Sequence, residues 1–285
     1  MPNFNLQYFN QRLSNTLIGT ILLILTYLFF SVMELTAKEL ALRFNPFLIV
    51  FARYLSQLIL LLIIFNKQFK THLKSNHKPL QILRGALLMI TTCFMFTGLA
   101  YLQFAENISI YMIGPVITTI LAILILKEKI SFTQIFVVII GLIGALIIAS
   151  PNKGAFNYAV IFPFLAALCF AFFTISTKFL NTSDSNQTTL LFTAITGTIL
   201  SLPFIIYFWK WPNINDAILM FCLGFLATAG HFLFIEALKV INASFAAPFV
   251  YLTVLLAAFW GYILYDEIPS QSTFIGAFLI VTSGF

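Results

Sequence analysis

The sequence predicts an all-α integral membrane protein with ten transmembrane helices, built as two inverted five-helix repeats. Three observations carry this expectation. Hydrophobic residues form 61% of the 285 residues and charged residues 8%, where a soluble domain carries roughly a quarter charged residues. A water-soluble fold is therefore excluded. Apolar runs recur along the chain, and no polar stretch between them is long enough to fold separately, so the chain reads as one membrane domain with short loops. Landmarks of the first half also return in the second: Phe30 and Lys38 are matched at one common spacing by Phe170 and Lys178, and Glu128 is matched by Glu267 at a spacing shorter by a single position.

A helix needs about 20 mostly apolar residues to cross the hydrocarbon, and only helices or closed barrels satisfy every backbone group there. The long unbroken runs exclude a barrel. Spans are expected at 16–37, 46–65, 80–101, 106–126, 132–150, 158–180, 187–208, 215–238, 243–264 and from 270 onward, the last being short for a crossing at Phe285. Pro46 and Pro79 sit at starts, Pro151 past an end and Pro212 in a turn, as helix punctuation requires. Arg12 before the apolar run Leu17 to Phe30 has the outline of a signal peptide, but no small-residue cleavage site follows, so the segment reads as a retained helix.

The division expected is 1–150 for the first repeat and 151–285 for the second. Five spans per repeat is an odd number, so the second copy inserts upside down. Positive loops stay cytoplasmic. With the amino terminus inside, ten of the fifteen Lys and Arg fall on that side, four of them (Lys67, Lys70, Lys74, Lys78) in or bordering the loop between Phe65 and Pro79. Both termini are then cytoplasmic, in the cell's inner membrane. The net charge of +6 lies in loops and span ends without a nucleic-acid motif, so lipid headgroups are the expected partner. Cys93, Cys169 and Cys222 lie in apolar runs without metal-ligand spacing and read as small hydrophobes; no metal or cofactor is expected.

A carboxylate at the bilayer centre costs on the order of 3 kcal/mol even on insertion scales, so one inside a span marks a site with a partner or water. Glu34 is such a residue. With Tyr27, Phe30, Ser31 and Lys38 it forms one helix face, aromatic deep down and charged toward the outer end. Glu34 can attract a cationic or amino group while Tyr27 and Phe30 cover a planar part; the competing reading is a Glu34–Lys38 salt bridge. His231, mid-span, suits either proton coupling or a helix-to-helix hydrogen bond. Tyr111 with Pro115, and Pro248 with Tyr251, pair polar aromatics with helix-weakening prolines; the prolines do not align in the repeat, so the tyrosines are the better cavity candidates. Thr92, Thr91 and Gln57 are weaker candidates, and Arg53 and Arg84, near helix ends, can snorkel to headgroups.

Phe51-Ala52-Arg53 in the second span, Arg84-Gly85 opening the third, Gly114-Pro115-Val116 and Glu128 in the fourth, and Gly141 and Gly144 in the fifth resemble the EamA branch of the drug/metabolite transporter superfamily. Ala246-Ala247-Pro248-Phe249-Val250-Tyr251-Leu252, Gly261-Tyr262 and Glu267-Ile268-Pro269 resemble the branch that includes S-adenosylmethionine carriers, with Thr253 standing where some of those carry an acidic residue. The resemblance implies a carrier of a small metabolite, not an enzyme, working by alternating access, with Arg53 and Arg84 helping to gate its mouths. The expected solute is amino-acid-like, cationic or aromatic, S-adenosylmethionine among the candidates. An amino-acid or drug exporter of the same fold is the nearest alternative. A membrane enzyme acting on a lipid-linked substrate is the alternative of another class, with only Asp266-Glu267 approaching the paired acids it needs. No glycine-rich Lys-Ser/Thr loop is present, so gradients or exchange would drive transport.

Overall fold

The computed structural model describes residues 3–102, 104–149 and 158–265, with isolated positions between 275 and 282. Helix α1 (Asn3–Ala41) starts well before the expected 16. Pro46, at the first turn where a missing N–H costs nothing, opens α2 (Pro46–Phe65), and Asn45 caps it by accepting from the Phe47 amide. A short helix, α3 (Phe69–His72), lies in the basic loop before α4 (Lys78–Tyr101). The fourth expected span is broken into α5 (Phe104–Tyr111) and α6 (Gly114–Leu126), and α7 (Phe132–Ala149) follows. The second half contains α8 (Ile161–Leu180), α9 (Asn186–Phe208) and α10 (Ile214–Val240). Its ninth span is likewise broken, into α11 (Ala243–Ala246), a 3-10 turn (Ala247–Tyr251) and α12 (Leu252–Tyr265).

Among the described residues seven helices are long and apolar enough to cross a membrane, and two shorter apolar ones lie at Gly114–Leu126 and Phe132–Gly144. The expected tenth span, with Asp266 and Glu267, lies largely outside the described residues. Bulky apolar side chains such as Ile63, Leu124 and Ile206 are exposed, which suits a surface solvated by lipid. Exposed Tyr101, Tyr158, Tyr207 and Trp211 all fall at span ends predicted to be outside, an aromatic belt at that face.

The packing repeats itself when the halves are exchanged. Helix α1 lies along α10 and α8 along α4; α10 also packs on α2 and α4 on α9; α12 touches α1 as α6 touches α8. The capping residues Asn45 and Ser185 stand at the same spacing as Phe30 and Phe170, and α4 and α10 end at extended Leu102 and Ile241, which keep the spacing of Glu128 and Glu267. Each half therefore completes its core only with helices of the other. The broken segments begin at the second of these spacings, α5 at Phe104 and α11 at Ala243, but α5 runs to Tyr111 and α11 only to Ala246, so the breaks themselves are out of register. The two prolines differ as well, because Pro115 sits just after its break and Pro248 within its own. The break is a shared backbone feature that each half reaches with a proline in a different place.

Loops tie the ends together. Arg43 Nη1 donates to Asp216 on α10 at 2.5 Å and Arg43 Nη2 to Glu39 at 2.8 Å. At the opposite face Asp184, between α8 and α9, accepts from the Ser75 hydroxyl, from Gln81 Nε2 at 2.8 Å and from the Asn76 amide at 3.2 Å. Lys127 adopts a left-handed conformation (φ 54°) that stops α6 and turns the chain. That turn presents Glu128 to the first amides of α11: its carboxylate accepts from Ala243 N at 3.0 Å, Ser244 N at 3.1 Å and Ser244 Oγ at 2.6 Å. Beside it Lys178 Nζ donates to the Leu238 and Ile241 carbonyls at 2.7 and 2.5 Å, closing the C-terminus of α10.

Candidate substrate cavity

A cleft with a cavity volume of about 80 Å³ lies between α1, α2, α4, α8 and α10 and the two broken helices. Six of the seven residues expected to bind substrate line it: Tyr27, Phe30, Glu34, Thr92, Tyr111 and His231. Tyr27, Phe30 and Glu34 come from one face of α1, with Met33 beside them, as the spacing predicts. Phe170, the repeat mate of Phe30, lies on the lining too, its ring 6.0 Å from that of Tyr111. The polar face is supplied by Glu34, Thr91, Thr92, Arg53, His231 and Thr253; the rest of the lining is aromatic or aliphatic.

Arg53 corrects the sequence reading. It lies on the inner face of α2, 1% exposed, and does not snorkel to headgroups. Its Nη1 donates to Thr92 Oγ1 at 2.7 Å, and its Nη2 lies 2.9 Å from His231 Nε2. A guanidinium only donates, so His231 accepts at Nε2 and carries its proton on Nδ1. His231 is therefore neutral in this conformation, with Nε2 already engaged, and the helix-to-helix hydrogen bond is the reading realised here. Thr92 gives its own proton to Leu88 O at 2.9 Å, leaving its lone pairs to Arg53 and to the Tyr54 hydroxyl at 3.3 Å. Phe30 and Phe173 flank the imidazole at 4.8 and 5.7 Å between ring centres.

Other expected residues are placed elsewhere. Tyr251 does not reach the cleft: it is buried, its hydroxyl donates to Val138 O at 2.9 Å, and its ring fits against Gly141, where a Cβ would stand 2.3 Å from Cε2. Its place in the lining is taken by Val250 and Thr253, whose hydroxyl donates to Val250 O at 2.7 Å. Arg84 is also fully buried and not on the lining; it donates to Thr177 Oγ1 at 2.7 Å and Thr193 Oγ1 at 2.5 Å and stacks over Phe173 at 4.3 Å, joining α4 to α8 and α9. Arg53 and Arg84 thus leave the loop-charge tally, one from each side. No ion pair joins Glu34 to Lys38, and Lys38 is not on the lining. Pro115 and Pro248 flank the cleft at the helix breaks without lining it, and Gln57 is buried outside it. Leu88, Thr91, Thr92, Met95 and Phe96, absent from the expectations except for the two threonines, form one face of α4 at spacings of three and four. Extending the helical wheel from Thr92 would have found them.

A multi-pass bundle whose cleft combines aromatic walls with a few charged groups suits a membrane transporter of small molecules. The model of the EamA-like transporter family matches this chain twice, over residues 17–150 and 157–285. The chain belongs to that family, within the drug/metabolite transporter superfamily, and it is a small-metabolite transporter and not an enzyme. It is 28% identical over 272 residues to the S-adenosylmethionine uptake transporter of Rickettsia prowazekii (strain Madrid E), covering 95% of this chain and 92% of that one. It is 28% identical to the riboflavin transporter of Vibrio cholerae serotype O1 (strain ATCC 39315 / El Tor Inaba N16961) over 71% of this chain and 68% of that one. A solved crystal structure shares the fold with a TM-score of 0.78 over 95% of both chains at 15% identity.

Proposed function

We propose that this chain is a secondary carrier of the bacterial inner membrane, with both termini cytoplasmic, that moves a small organic solute bearing a cationic centre and an apolar or planar part. Its halves, 1–150 and 151–285, are taken as inverted repeats completing ten spans, and exchange of access between them exposes the cleft to each side in turn. The observation that carries the reading is Glu34, the one carboxylate among the described residues of the lining, which makes no hydrogen bond or ion pair there and faces the same space as Tyr27, Phe30 and Tyr111. A carboxylate kept in so apolar a place favours a cation arriving beside it, and aromatic faces add to the attraction. S-adenosylmethionine and riboflavin, for which the transporters similar to this chain are named, are both solutes with planar ring systems.

The test is uptake by proteoliposomes of S-adenosylmethionine, aromatic amino acids and riboflavin. Glu34→Gln is expected to lower uptake of the cationic solutes about 10- to 100-fold, the worth of one charge-assisted contact, while remaining monodisperse. Unchanged uptake by this variant would reject Glu34 as the cation site.

A further inference from the structure

We propose that Arg53 is the anion-reading pole of the cleft, so that the transported solute carries a carboxylate as well as a cation and is bound between Arg53 and Glu34. The inference rests on the carrier reading and narrows its substrate class.

Arg53 is 1% exposed and lines the cleft, yet no carboxylate of a described residue lies within salt-bridge distance of it. Its two partners, Thr92 Oγ1 and His231 Nε2, are neutral, and its Nε has no hydrogen-bond partner. A buried guanidinium without a counter-charge is costly. Its planar fork matches a carboxylate, which can take two parallel hydrogen bonds from it. Glu34 is the one opposite charge on the same lining, but it does not pair with Arg53. Two opposite charges facing one space and held apart are complementary to one ligand that carries both signs. A solute with only the cation would satisfy Glu34 and leave the guanidinium uncompensated. Thr92 and His231 hold the guanidinium in place from α4 and α10, each taking one N–H of a different Nη nitrogen.

Equilibrium binding to the purified protein in nanodiscs separates the possibilities, using matched pairs that differ only in the carboxylate: S-adenosylmethionine and its decarboxylated form, tryptophan and tryptamine, arginine and agmatine. At least one acid is expected to bind about 10- to 100-fold more tightly than its amine. Arg53→Gln is expected to bring that pair to near-equal affinity, and Arg53→Lys, which keeps the charge without the fork, to an intermediate ratio. A merely structural role would weaken acid and amine alike and leave the ratio unmoved. Equal affinities within every wild-type pair, binding of no acid at all, or an unmoved ratio in Arg53→Lys would each overturn the proposal. Flux of the tightest binder through proteoliposomes is read separately: an acid that binds selectively but is not moved refutes the carrier and leaves Arg53 standing, whereas amines or riboflavin moved as fast as acids refute the Arg53 assignment and leave the carrier standing.

Discussion

Gly224 stands where α10 crosses α2, and the spacing there leaves no room for a methyl group. A Cβ at this position would lie 2.4 Å from Ser56 Cβ, 2.6 Å from the Gln57 backbone nitrogen and 2.7 Å from the Ser56 carbonyl carbon. Non-bonded heavy atoms settle at roughly 3.5–4.0 Å, so Gly224→Ala must move the helices apart by about 1 Å. Two of the three obstructing atoms are backbone and cannot rotate away, which places the cost toward the upper end of about 1–3 kcal/mol for overpacking. Alanine's better helix propensity returns up to about 1 kcal/mol, so the net effect remains destabilising. His231 lies seven residues further along α10, two turns away on the same face, and its contact with Arg53 of α2 is 2.9 Å long. A separation of that size carries it to the edge of hydrogen-bonding range or beyond. In thermal unfolding of the detergent-purified protein, Gly224→Ala is expected to lower the midpoint by several degrees and to weaken solute binding. Ser56→Gly in the same chain should restore only part of the loss, because the Gln57 nitrogen remains in the way. A midpoint equal to or above the parent's would refute the reasoning.

Two further outcomes follow from the loop contacts. Burial raises the Asp184 carboxyl, but the hydrogen bonds from Ser75, Gln81 and the Asn76 amide outweigh it and hold it below the usual carboxylate range. Because the folded value is the lower one, its stabilisation is complete above the ordinary Asp value and is lost as pH falls through the folded value. At this half-exposed site it amounts to about 1 kcal/mol. Midpoints measured from pH 7 down to pH 3 should therefore fall less steeply in Asp184→Asn than in the parent, and parallel curves would count against the role. Glu128→Ala leaves the Ala243 and Ser244 amides and the Ser244 hydroxyl without their acceptor. A loss of about 1–3 kcal/mol is expected, read as a lower midpoint with faster proteolysis between α10 and α11; an unchanged cleavage rate would contradict it.

Whether a residue was legible in the sequence depended on whether its signal was local. The bounds of α2 are the expected 46–65 because Asn45, Pro46 and the end of the apolar run are neighbours in sequence. The Tyr27, Phe30, Glu34 face followed from helical spacing alone, and so did its arrival at the cleft. The helix breaks did not, since the prolines near them are out of register, Pro115 just after one break and Pro248 within the other. Arg53 was misread for a related reason. Hydropathy sees only that an arginine interrupts an apolar run near a helix start, whereas its partners Thr92 and His231 lie 39 and 178 residues away. Tyr251 looked like a cavity residue beside a proline; only the three-dimensional path of α7 brings Gly141 and the Val138 carbonyl against it.

The two halves match in their scaffold and differ in the polar groups of the cleft. Scaffold features occur in both halves at nearly one spacing: the caps Asn45 and Ser185, the helix ends Leu102 and Ile241, and the ring pair Phe30 and Phe170. The polar groups of the cleft do not. At the spacing of Phe30 and Phe170, Glu34 corresponds to Thr174 and Arg53 to Thr193; at that of Leu102 and Ile241, Thr92 corresponds to His231 and Tyr111 to Val250. Thr174, Thr193 and Thr92 each return their hydroxyl proton to their own helix, to Phe170 O, Thr189 O and Leu88 O, so the donor of each is satisfied without a ligand. On the proposed carrier reading, rocking between two faces needs matching bundles, because the same packing must be remade on either side. A ligand with a charged head and a flat body binds in one orientation, and a site with a twofold set of charges would bind it in two. On the proposed assignment of Glu34 and Arg53, placing the carboxylate and guanidinium in the first half and the imidazole in the second, each opposite a threonine, keeps the scaffold duplicated while leaving a single electrostatic direction across the cleft.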